Sequence, residues 1–279
     1  MTTGVRARPS RSRPTPAFQP PLIAIECLDA EAELRAAGYL LIAGVDEVGR
    51  GCWAGPVYAG VVVLPAACYA DRQLLAEVTD SKLLTSLKRE RLAQDILGCA
   101  TAATVAWADA PVVDRLNVLG ATRFAMAAAL RCLTDAAIQQ GPGWGARRLT
   151  VGHTAPDYVL LDAVKLPDVP LPQRAVVRGD RSCLAIAAAS IVAKVERDAE
   201  MRRVAAEHPA FDFASNKGYG TRHHLQALRR HGLTPLHRRS FAPAKYLLGL
   251  RDHVVGALPP PPLPAAPDAV LASVGGVRT

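Results

Sequence analysis

Residues 41–64 place two adjacent acids at the end of an apolar strand, and no other stretch constrains the fold as strongly. Asp46 and Glu47 lie between two short, Val-containing runs that carry almost no charge, a pattern typical of buried strands. Gly49-Arg50-Gly51 follows at once. Neighbouring buried acids oppose each other's ionisation, so such a pair needs a divalent cation or a basic partner. A solvated turn is the alternative for an arbitrary Asp-Glu pair, but the apolar lead-in and the glycine loop argue against it.

Two further acids follow short apolar runs. The run 158–161 leads into Asp162, and the run 173–177 ends just before Arg178-Gly179-Asp180. Ligands of open α/β sheets gather outside strand ends, so Asp46, Glu47, Asp162 and Asp180 form a candidate site for hard cations. Two Mg²⁺ ions about 3.5–4 Å apart can hold a scissile phosphate between them. The structural alternatives are that Asp162 caps the following loop and that Asp180 is a helix N-cap.

Apolar periodicity along the rest of the chain predicts an α/β layout. Helices are expected over residues 29–37, 83–97, 118–139, 182–203 and 222–231, and strands over 41–45, 57–64, 100–107, 158–161 and 173–177. Gly141-Pro142-Gly143 is the expected stop signal of the third helix. Three strands followed by two more, with helices between them, predict a mixed five-stranded sheet with helices on both faces. Residues 1–20 are predicted to be a disordered basic arm and 256–279 a disordered proline-rich tail, which leaves one folded domain over 21–255.

Composition and simple motifs limit the kinds of function that the chain can have. The formal charge of +8 suits a polyanionic partner, although Arg6, Arg8, Arg11 and Arg13 of the N-terminal arm supply four of these charges. The six cysteines form no CxxC pair or zinc-like spacing, which indicates a reducing cytoplasm. No stretch approaches the roughly 20 apolar residues of a membrane span, and no secretory signal is expected. A Walker-type phosphate loop is missing, which argues against an NTPase.

The run DEVGRGCWAGPV, residues 46–57, resembles the opening signature of bacterial ribonuclease HII. Further segments follow in that family's order: Asp80-Ser81-Lys82, Leu160-Leu161-Asp162, Arg178-Gly179-Asp180, residues 186–194, Arg197-Asp198, Lys217-Gly218-Tyr219-Gly220 and residues 237–241. The resemblance covers roughly residues 40–245. It implies a ribonuclease H-like catalytic domain whose C-terminal portion, from about residue 205, is helical. It also implies an endonuclease that hydrolyses the RNA strand of RNA/DNA hybrids and incises 5′ of ribonucleotides embedded in duplex DNA, leaving 3′-hydroxyl and 5′-phosphate ends.

The same resemblance assigns roles to individual residues. It makes Asp46, Glu47, Asp162 and Asp180 the metal-binding and catalytic set, with two Mg²⁺ or Mn²⁺ ions as cofactors. Gly49-Arg50-Gly51 would contact the ribose 2′-hydroxyl, because glycine lets the backbone come close to a sugar. Arg50 could add a phosphate contact. Tyr219 resembles the family tyrosine that stacks at the junction between a ribonucleotide and a deoxyribonucleotide.

Several side chains keep more than one interpretation. Ser81, Lys82 and Lys194 are candidate phosphate contacts, with a helix cap for Ser81 and a solvated face for Lys194 as alternatives. Asp198 is expected to form an ion pair with a neighbouring basic side chain rather than to bind a metal. Backbone binding or a solvated face is expected for four histidines of the basic C-terminal run: His223, His224, His231 and His237.

Two positions depart from the family pattern. Ala163 stands where the family commonly has Gly, which would restrict the turn after Asp162. Trp53 stands where Leu is usual, and its bulk could alter substrate contacts beside the Gly-Arg-Gly loop. Neither change removes a carboxylate.

Two other functions stay open at this stage. An enzyme of the same broad fold that cuts another structure, such as branched DNA, would share the acids but would not need Gly49-Arg50-Gly51 or Tyr219. A non-enzymatic hybrid-binding protein would not need all four acids. The favoured hypothesis is a cytoplasmic monomer whose partners are RNA/DNA hybrids and DNA with embedded ribonucleotides, without membrane association.

Overall fold

The computed structural model describes residues 28–135, 139–152 and 154–249, so the predicted N-terminal arm and C-terminal tail lie outside it. The helices are α1 (Leu28–Ala36), α2 (Ala66–Ala70), α3 (Ser86–Cys99), α4 (Ala110–Cys132), α5 (Leu184–Ala205), α6 (Phe213–Asn216), α7 (Arg222–His231) and α8 (Ala242–Leu247). The strands are β1 (Ile42–Val48), β2 (Val57–Val63), β3 (Ala102–Ala108), β4 (Gln139–Gly141), β5 (Trp144–Arg148), β6 (Tyr158–Asp162) and β7 (Gln173–Val176). In these ranges no helix combines the length and apolarity needed to cross a membrane.

The strands of the described ranges form one mixed sheet in the order β4-β5-β3-β2-β1-β6-β7. Strands β1, β2 and β3 pair antiparallel, whereas β6 and β7 run parallel to β1. The predicted α/β class with a mixed sheet is confirmed, but the predicted number of five strands is wrong, because the described ranges contain seven. The two additional strands, β4 and β5, form a hairpin that extends the sheet beyond β3.

The predicted helix over 118–139 has the correct start, because a kink at Asn117 separates it from a preceding helical segment, but its predicted end is wrong. Helix α4 begins at Ala110 and ends at Cys132, and it is interrupted at Asn117, whose φ of 56° is not helical. The Asn117 side-chain oxygen accepts two backbone N–H groups of the next turn (3.0 Å each), so it restarts the helix as an N-cap would. Gly141-Pro142-Gly143 does not end a helix; it forms the turn between β4 and β5. The hairpin depends on pairing with distant β3, which local propensity does not report.

Helices cover both faces of the sheet. Helix α4 packs on one face, and α3 and α5 pack on the other. Two glycines let α5 lie close to the central strands. A Cβ on Gly44 would lie 2.1 Å from the carbonyl carbon of Ala185, and one on Gly60 would lie 2.6 Å from the carbonyl oxygen of Ala189. The Ala-rich start of α5 is therefore fitted against β1 and β2, the strands that lead to the predicted site.

The C-terminal portion forms a small helical layer against the end of α5, as the resemblance implied. Its apolar cluster comprises Ala54, Met201, Val204, Phe211, Phe213, Ala227 and Leu228. Ala54 belongs to the loop between β1 and β2, and it pairs with His237 in an isolated β-bridge. The C-terminal layer therefore touches the same loop that carries Gly49-Arg50-Gly51.

Candidate active site

The sheet brings the four acids to one edge. Val45 of β1 and Leu161 of β6 are register partners in a parallel pair, so Asp46 and Asp162 occupy the next position on neighbouring strands. Glu47 follows Asp46. Asp180 lies in the short 3-10 turn Gly179–Arg181, which follows β7, the other strand beside β6. Carboxyl ends of parallel strands are the usual place for ligands of an α/β sheet.

Burial and mutual repulsion raise the pKa values of Asp46, Glu47 and Asp162. Asp46 is 3% exposed, and its pKa lies well above the usual value because of burial and the charges of Glu47 and Asp162. Burial also raises the pKa values of Glu47 and Asp162. A nearby cation would stabilise the ionised forms and reverse these shifts.

Each acid interacts with a different donor. Asp162 Oδ1 accepts the backbone N–H of Gly179 (2.8 Å), and Glu47 Oε1 lies 3.3 Å from Arg50 Nη1. Asp180 Oδ2 lies 3.6 Å from Nζ of Lys82. Across the described residues, no three Asp, Glu, His or Cys side chains converge on one point as a preformed metal cage. The fold thus places the acids at one edge, but the side chains have not gathered around a common centre.

The donor set nevertheless fits a divalent metal. All four acids offer carboxylate oxygens, the ligands preferred by Mg²⁺ and Mn²⁺. Glu47 Oε2 is buried without a hydrogen-bond partner, which leaves an oxygen that a cation would satisfy. Burial raises the pKa values of Asp46, Glu47 and Asp162, and a bound cation would favour their ionised forms. Asp46, Glu47, Asp162 and Asp180 are therefore the residues that would hold the metal.

Asp180 is not the N-cap of the following helix. The first turn of α5 is capped instead by Glu31 of α1, whose carboxylate accepts the N–H groups of Leu184 (3.0 Å) and Ala185 (2.8 Å). Asp180 is buried in the preceding turn. The Asp162 carboxylate accepts the N–H of Gly179, which belongs to the turn after β7 and not to the loop after its own strand, β6.

The candidate phosphate contacts lie in different environments. Ser81 is buried, and its Oγ lies 3.0 Å from the Oγ of Ser190, a hydrogen-bond partner of Asp46. Lys82 is exposed; burial alone would lower its pKa, but the nearby carboxylates, Asp180 foremost, raise it. Of the three candidates, Lys82 therefore lies within reach of both solvent and the acids.

Lys194 does not lie on a solvated face. Its Nζ is 2.5 Å from Oδ1 of Asp198, and both side chains are largely buried. Asp198 also lies 3.7 Å from a guanidinium nitrogen of Arg89. The predicted structural pairing of Asp198 with neighbouring basic side chains is confirmed.

Two fully buried arginines hold the β1–β2 connection that contains the Gly-Arg-Gly loop, Gly49-Arg50-Gly51. Arg238 donates to the carbonyl oxygens of Gly49 (2.7 Å) and Arg50 (2.9 Å), and Arg197 donates to that of Pro56 (2.9 Å). Both arginines have no exposed surface. Neither arginine was predicted from the sequence to have a role, although both lie in segments that carry the family resemblance. The donors satisfy buried carbonyls of an irregular loop and so fix its backbone.

Tyr219 lies in a loop bound to the same region. The carbonyl oxygen of Gly218 accepts the N–H of Trp53 (2.9 Å), and Arg197 donates to the carbonyl oxygen of Lys217 (2.9 Å). Tyr219 itself is 41% exposed, so its ring is available to a ligand. The Trp53 ring packs so closely on Gly220 that a Cβ there would lie 2.2 Å from it. The unusual Trp53 thus packs beneath the Tyr219 loop.

The interpretation of the four C-terminal histidines is wrong for two of them. His223 and His231 are exposed, but His224 and His237 are buried and contact each other. They are buried because α7 packs within the C-terminal layer. The number of basic residues in this segment does not predict that packing.

Comparison with known proteins decides the family. The family model described as Ribonuclease HII matches residues 43–244. The chain belongs to the ribonuclease HII family. The ribonuclease HII of Roseiflexus castenholzii is 45% identical over 216 residues, which cover 77% of this chain and 88% of the relative. That of Dehalococcoides mccartyi is 42% identical over 218 residues, covering 78% and 93% of the two chains.

Solved structures agree on the fold. Ribonuclease H2 from Pyrococcus horikoshii superposes with a TM-score of 0.57 at 22% identity, over 76% of this chain and 99% of that one. Bst-RNase HIII in complex with Mn²⁺ gives a TM-score of 0.53 at 21% identity, over 76% and 70%. As a member of the ribonuclease HII family, this chain is a metal-dependent type 2 ribonuclease H, an endonuclease that cleaves RNA in RNA/DNA hybrids.

Proposed function

We propose that this ribonuclease HII family member also incises 5′ of single ribonucleotides embedded in duplex DNA, by two-metal-ion catalysis that leaves 3′-hydroxyl and 5′-phosphate ends. One observation carries the proposal. Asp46 and Asp162 end neighbouring strands beside the Gly-Arg-Gly loop, and the loop that bears Tyr219 is bonded to the same region. Acids that bind metal ions can hydrolyse a phosphodiester. A glycine loop beside them lets the backbone come close to the sugar and recognise its hydroxyl group.

Asp46, Glu47, Asp162 and Asp180 would hold two Mg²⁺ or Mn²⁺ ions. When bound, two such ions activate the attacking water and stabilise the leaving oxygen of a phosphodiester. The buried, partnerless Oε2 of Glu47 supports this assignment, as does the clustering of carboxyl groups with raised pKa values. The relative Bst-RNase HIII was solved with Mn²⁺, which supports a divalent ion here as well.

Substrate recognition is divided among three parts of the site. The backbone of Gly49-Arg50-Gly51, held in place by Arg238, would hydrogen-bond the ribose 2′-hydroxyl. The exposed ring of Tyr219 would stack at the ribonucleotide–deoxyribonucleotide junction, which is worth about 1–3 kcal/mol. Lys82 would contact a phosphate, and we propose the same for Ser81 and Lys194 through local rearrangement of their present contacts.

We also propose that the protein acts as a monomer, with all of these residues supplied by a single chain. Cys52, Cys68, Cys99 and Cys132 are free thiols, and all but Cys99 are buried, which supports a reducing compartment such as the cytoplasm.

The deciding experiment uses duplex DNA that contains one ribonucleotide. Incision on its 5′ side is expected in the presence of Mg²⁺ or Mn²⁺, with loss of cleavage on chelation. An all-DNA duplex and an all-DNA four-way junction serve as controls and should stay intact. Cutting of the junction without incision at the ribonucleotide would favour a resolvase instead. Equal binding of hybrids with and without metal, but no cleavage, would favour a binding protein.

A further inference from the structure

A pair of buried histidines connects the Tyr219 loop to the segment that holds the Gly-Arg-Gly loop. The Nε2 atoms of His224, on α7, and His237 lie 3.0 Å apart. The two residues are 0% and 3% exposed. Neither ring can therefore touch a nucleic acid, and any role in catalysis has to be exerted through the groups that they contact.

The outer contacts of the pair determine which ring nitrogens carry protons. The backbone N–H of Thr234 donates to Nδ1 of His237 (2.9 Å), so this nitrogen is unprotonated. Nδ1 of His224 lies 2.9 Å from the carbonyl oxygen of Tyr219, which can only accept, so this nitrogen carries a proton. With both rings neutral, Nε2–H of His237 donates to Nε2 of His224. The three hydrogen bonds form one directed chain from Thr234 to Tyr219.

The surroundings keep both rings neutral. The rings of Phe211 and Phe213 contact both histidines, and the ring of Trp53 contacts His224. Burial lowers the pKa of His237 to about 4 and also lowers that of His224. A proton added to either ring would set two N–H groups against each other, which costs a hydrogen bond in a dry environment.

The residue after His237 holds the other half of the recognition site. Arg238 donates to the carbonyl oxygens of Gly49 and Arg50, and its own N–H donates to the carbonyl oxygen of Trp53 (2.9 Å). His237 is thus linked through His224 to the Tyr219 loop, and the next residue, Arg238, is hydrogen-bonded to the Gly-Arg-Gly loop.

We infer that His224 and His237 are positioning residues that hold Tyr219 in a set relation to the Gly-Arg-Gly loop and thereby determine the preference for a ribonucleotide–deoxyribonucleotide junction over continuous RNA. The inference rests on the proposed junction-stacking role of Tyr219. A missing bond at the Tyr219 carbonyl lets the loop move while the metal-binding acids stay in place. Junction cleavage then falls more than cleavage of a uniform hybrid.

The test compares kcat/KM for a single embedded ribonucleotide with kcat/KM for a uniform RNA/DNA hybrid. His224→Phe removes the donor to Tyr219 and should lower this ratio about fivefold, the effect of one hydrogen bond. His224→Asn keeps an amide N–H near the Nδ1 position and should restore most of the ratio. Val204→Ala is the matched control, because it loosens the same apolar cluster at a position outside the hydrogen-bond chain and the rings packed on it, and it should leave the ratio unchanged.

Tyr219→Ala separates failure of the inference from failure of the proposed function. A lowered ratio in Tyr219→Ala with an unchanged ratio in His224→Phe overturns the inference alone. An unchanged ratio in both variants overturns the inference together with the stacking role of Tyr219. An equal decrease in His224→Phe and Val204→Ala also overturns it, because general loosening then explains the effect. In the double variant His224→Phe/Tyr219→Ala the two effects should not add, since they act on one contact.

A measurement on the unmodified protein tests the geometry even if variants fail to fold. Nuclear magnetic resonance of ¹⁵N-labelled histidine in the full chain at pH 7 distinguishes the two neutral tautomers. His224 should carry its proton on Nδ1 and His237 on Nε2. The opposite tautomers, or a charged ring in the pair, would overturn the inference.

Discussion

Asp46 illustrates how one buried carboxyl group gains its role from its neighbours. Its Oδ1 accepts the N–H of Glu47 (2.7 Å), and Ser190 is a further hydrogen-bond partner. Burial and the adjacent charges of Glu47 and Asp162 nevertheless raise its pKa. The position is electrostatically unfavourable for an isolated acid and favourable for an acid that binds a cation.

Replacing Asp46 by Asn should abolish cleavage without unfolding the protein. The substitution removes the charge but preserves the shape, so we expect activity to fall by about 100-fold or more. Thermal unfolding should occur at the same or a slightly higher temperature in metal-free buffer, because one of several repelling charges is gone. Asp95→Asn, at an exposed position on α3, is the control and should retain full activity. Wild-type turnover in Asp46→Asn would contradict the metal assignment.

Ala163 carries backbone strain that a glycine would relieve. Its φ of 53° lies in the left-handed region, where a Cβ costs roughly 1–2 kcal/mol. Ala163→Gly should therefore raise the free energy of unfolding, by about 1 kcal/mol after the larger chain entropy of glycine is deducted. Urea denaturation measures the change. Ala32→Gly, at an exposed helical position of α1, is the control and should lower the free energy of unfolding. A loss of stability in both variants would show that Ala163 is not strained.

At the scale of secondary-structure elements, the close packing of α5 on the sheet decides where the site lies. The helix covers the face of β1 toward which Asp46 points, and its Ser190 lies between Asp46 and Ser81. Glu31 caps its first turn from α1. The helix is thus held at its start, beside Asp180, by a carboxylate that takes no part in the proposed metal site.

Gly44→Ala should destabilise the protein, because the new Cβ would overlap the backbone of Ala185. A backbone group cannot rotate away as a side chain can, so we expect a loss of about 3 kcal/mol, at the upper end for overpacking. Differential scanning calorimetry would show it as a lower melting temperature. Gly98→Ala, on α3, meets no heavy atom within 4 Å and should be neutral or stabilising. An undiminished melting temperature in Gly44→Ala would show that α5 lies farther from β1.

At the scale of the whole molecule, the C-terminal layer is joined to the sheet domain by polar contacts as well as by its apolar cluster. Arg197 and Arg238 donate to carbonyl groups of the β1–β2 loop, and the histidine pair, His224 and His237, links α7 to the segment that carries Arg238. Buried polar networks of this kind are stable only when every member keeps its partner. Protonation of the pair should therefore weaken the attachment of the whole layer.

Acid should destabilise this layer between pH 6.5 and about 4. The pKa of His237 falls from its usual 6.5 to about 4 on burial, and that of His224 is lowered too. The unfolded chain binds protons first, so the contribution to stability is complete above pH 6.5 and is lost as the pH falls toward 4. For His237 it amounts to about 3 kcal/mol. Urea denaturation at pH 7 and pH 4.5 measures the difference.

The double variant His224→Phe/His237→Leu is the control for this pH dependence. It lacks both titrating rings, and its profile should be flatter by the same amount. Buried acids with raised pKa values act in the opposite direction in this pH range, and both proteins share them. Equal slopes for the two proteins would show that the pair does not titrate as described.

The sequence by itself determined the parts of this protein that depend on neighbouring residues. Apolar runs in the sequence marked β1, β2, β6 and β7. The twelve-residue run that begins at Asp46 predicted the family. Apolar periodicity did not predict strands β4 and β5. These short strands follow an Ala-rich helix in the sequence and form only through pairing with β3.

Only the tertiary structure decided how the distant segments meet. That Asp46 and Asp162 end neighbouring strands follows from the parallel register of β1 and β6, which depends on sheet pairing across more than a hundred residues. The burial of Arg238 and of the histidine pair follows from packing of the C-terminal layer. A sequence pattern reports which side chains a segment carries, whereas their protonation and their partners depend on the solvent that packing removes and on the groups that it brings near.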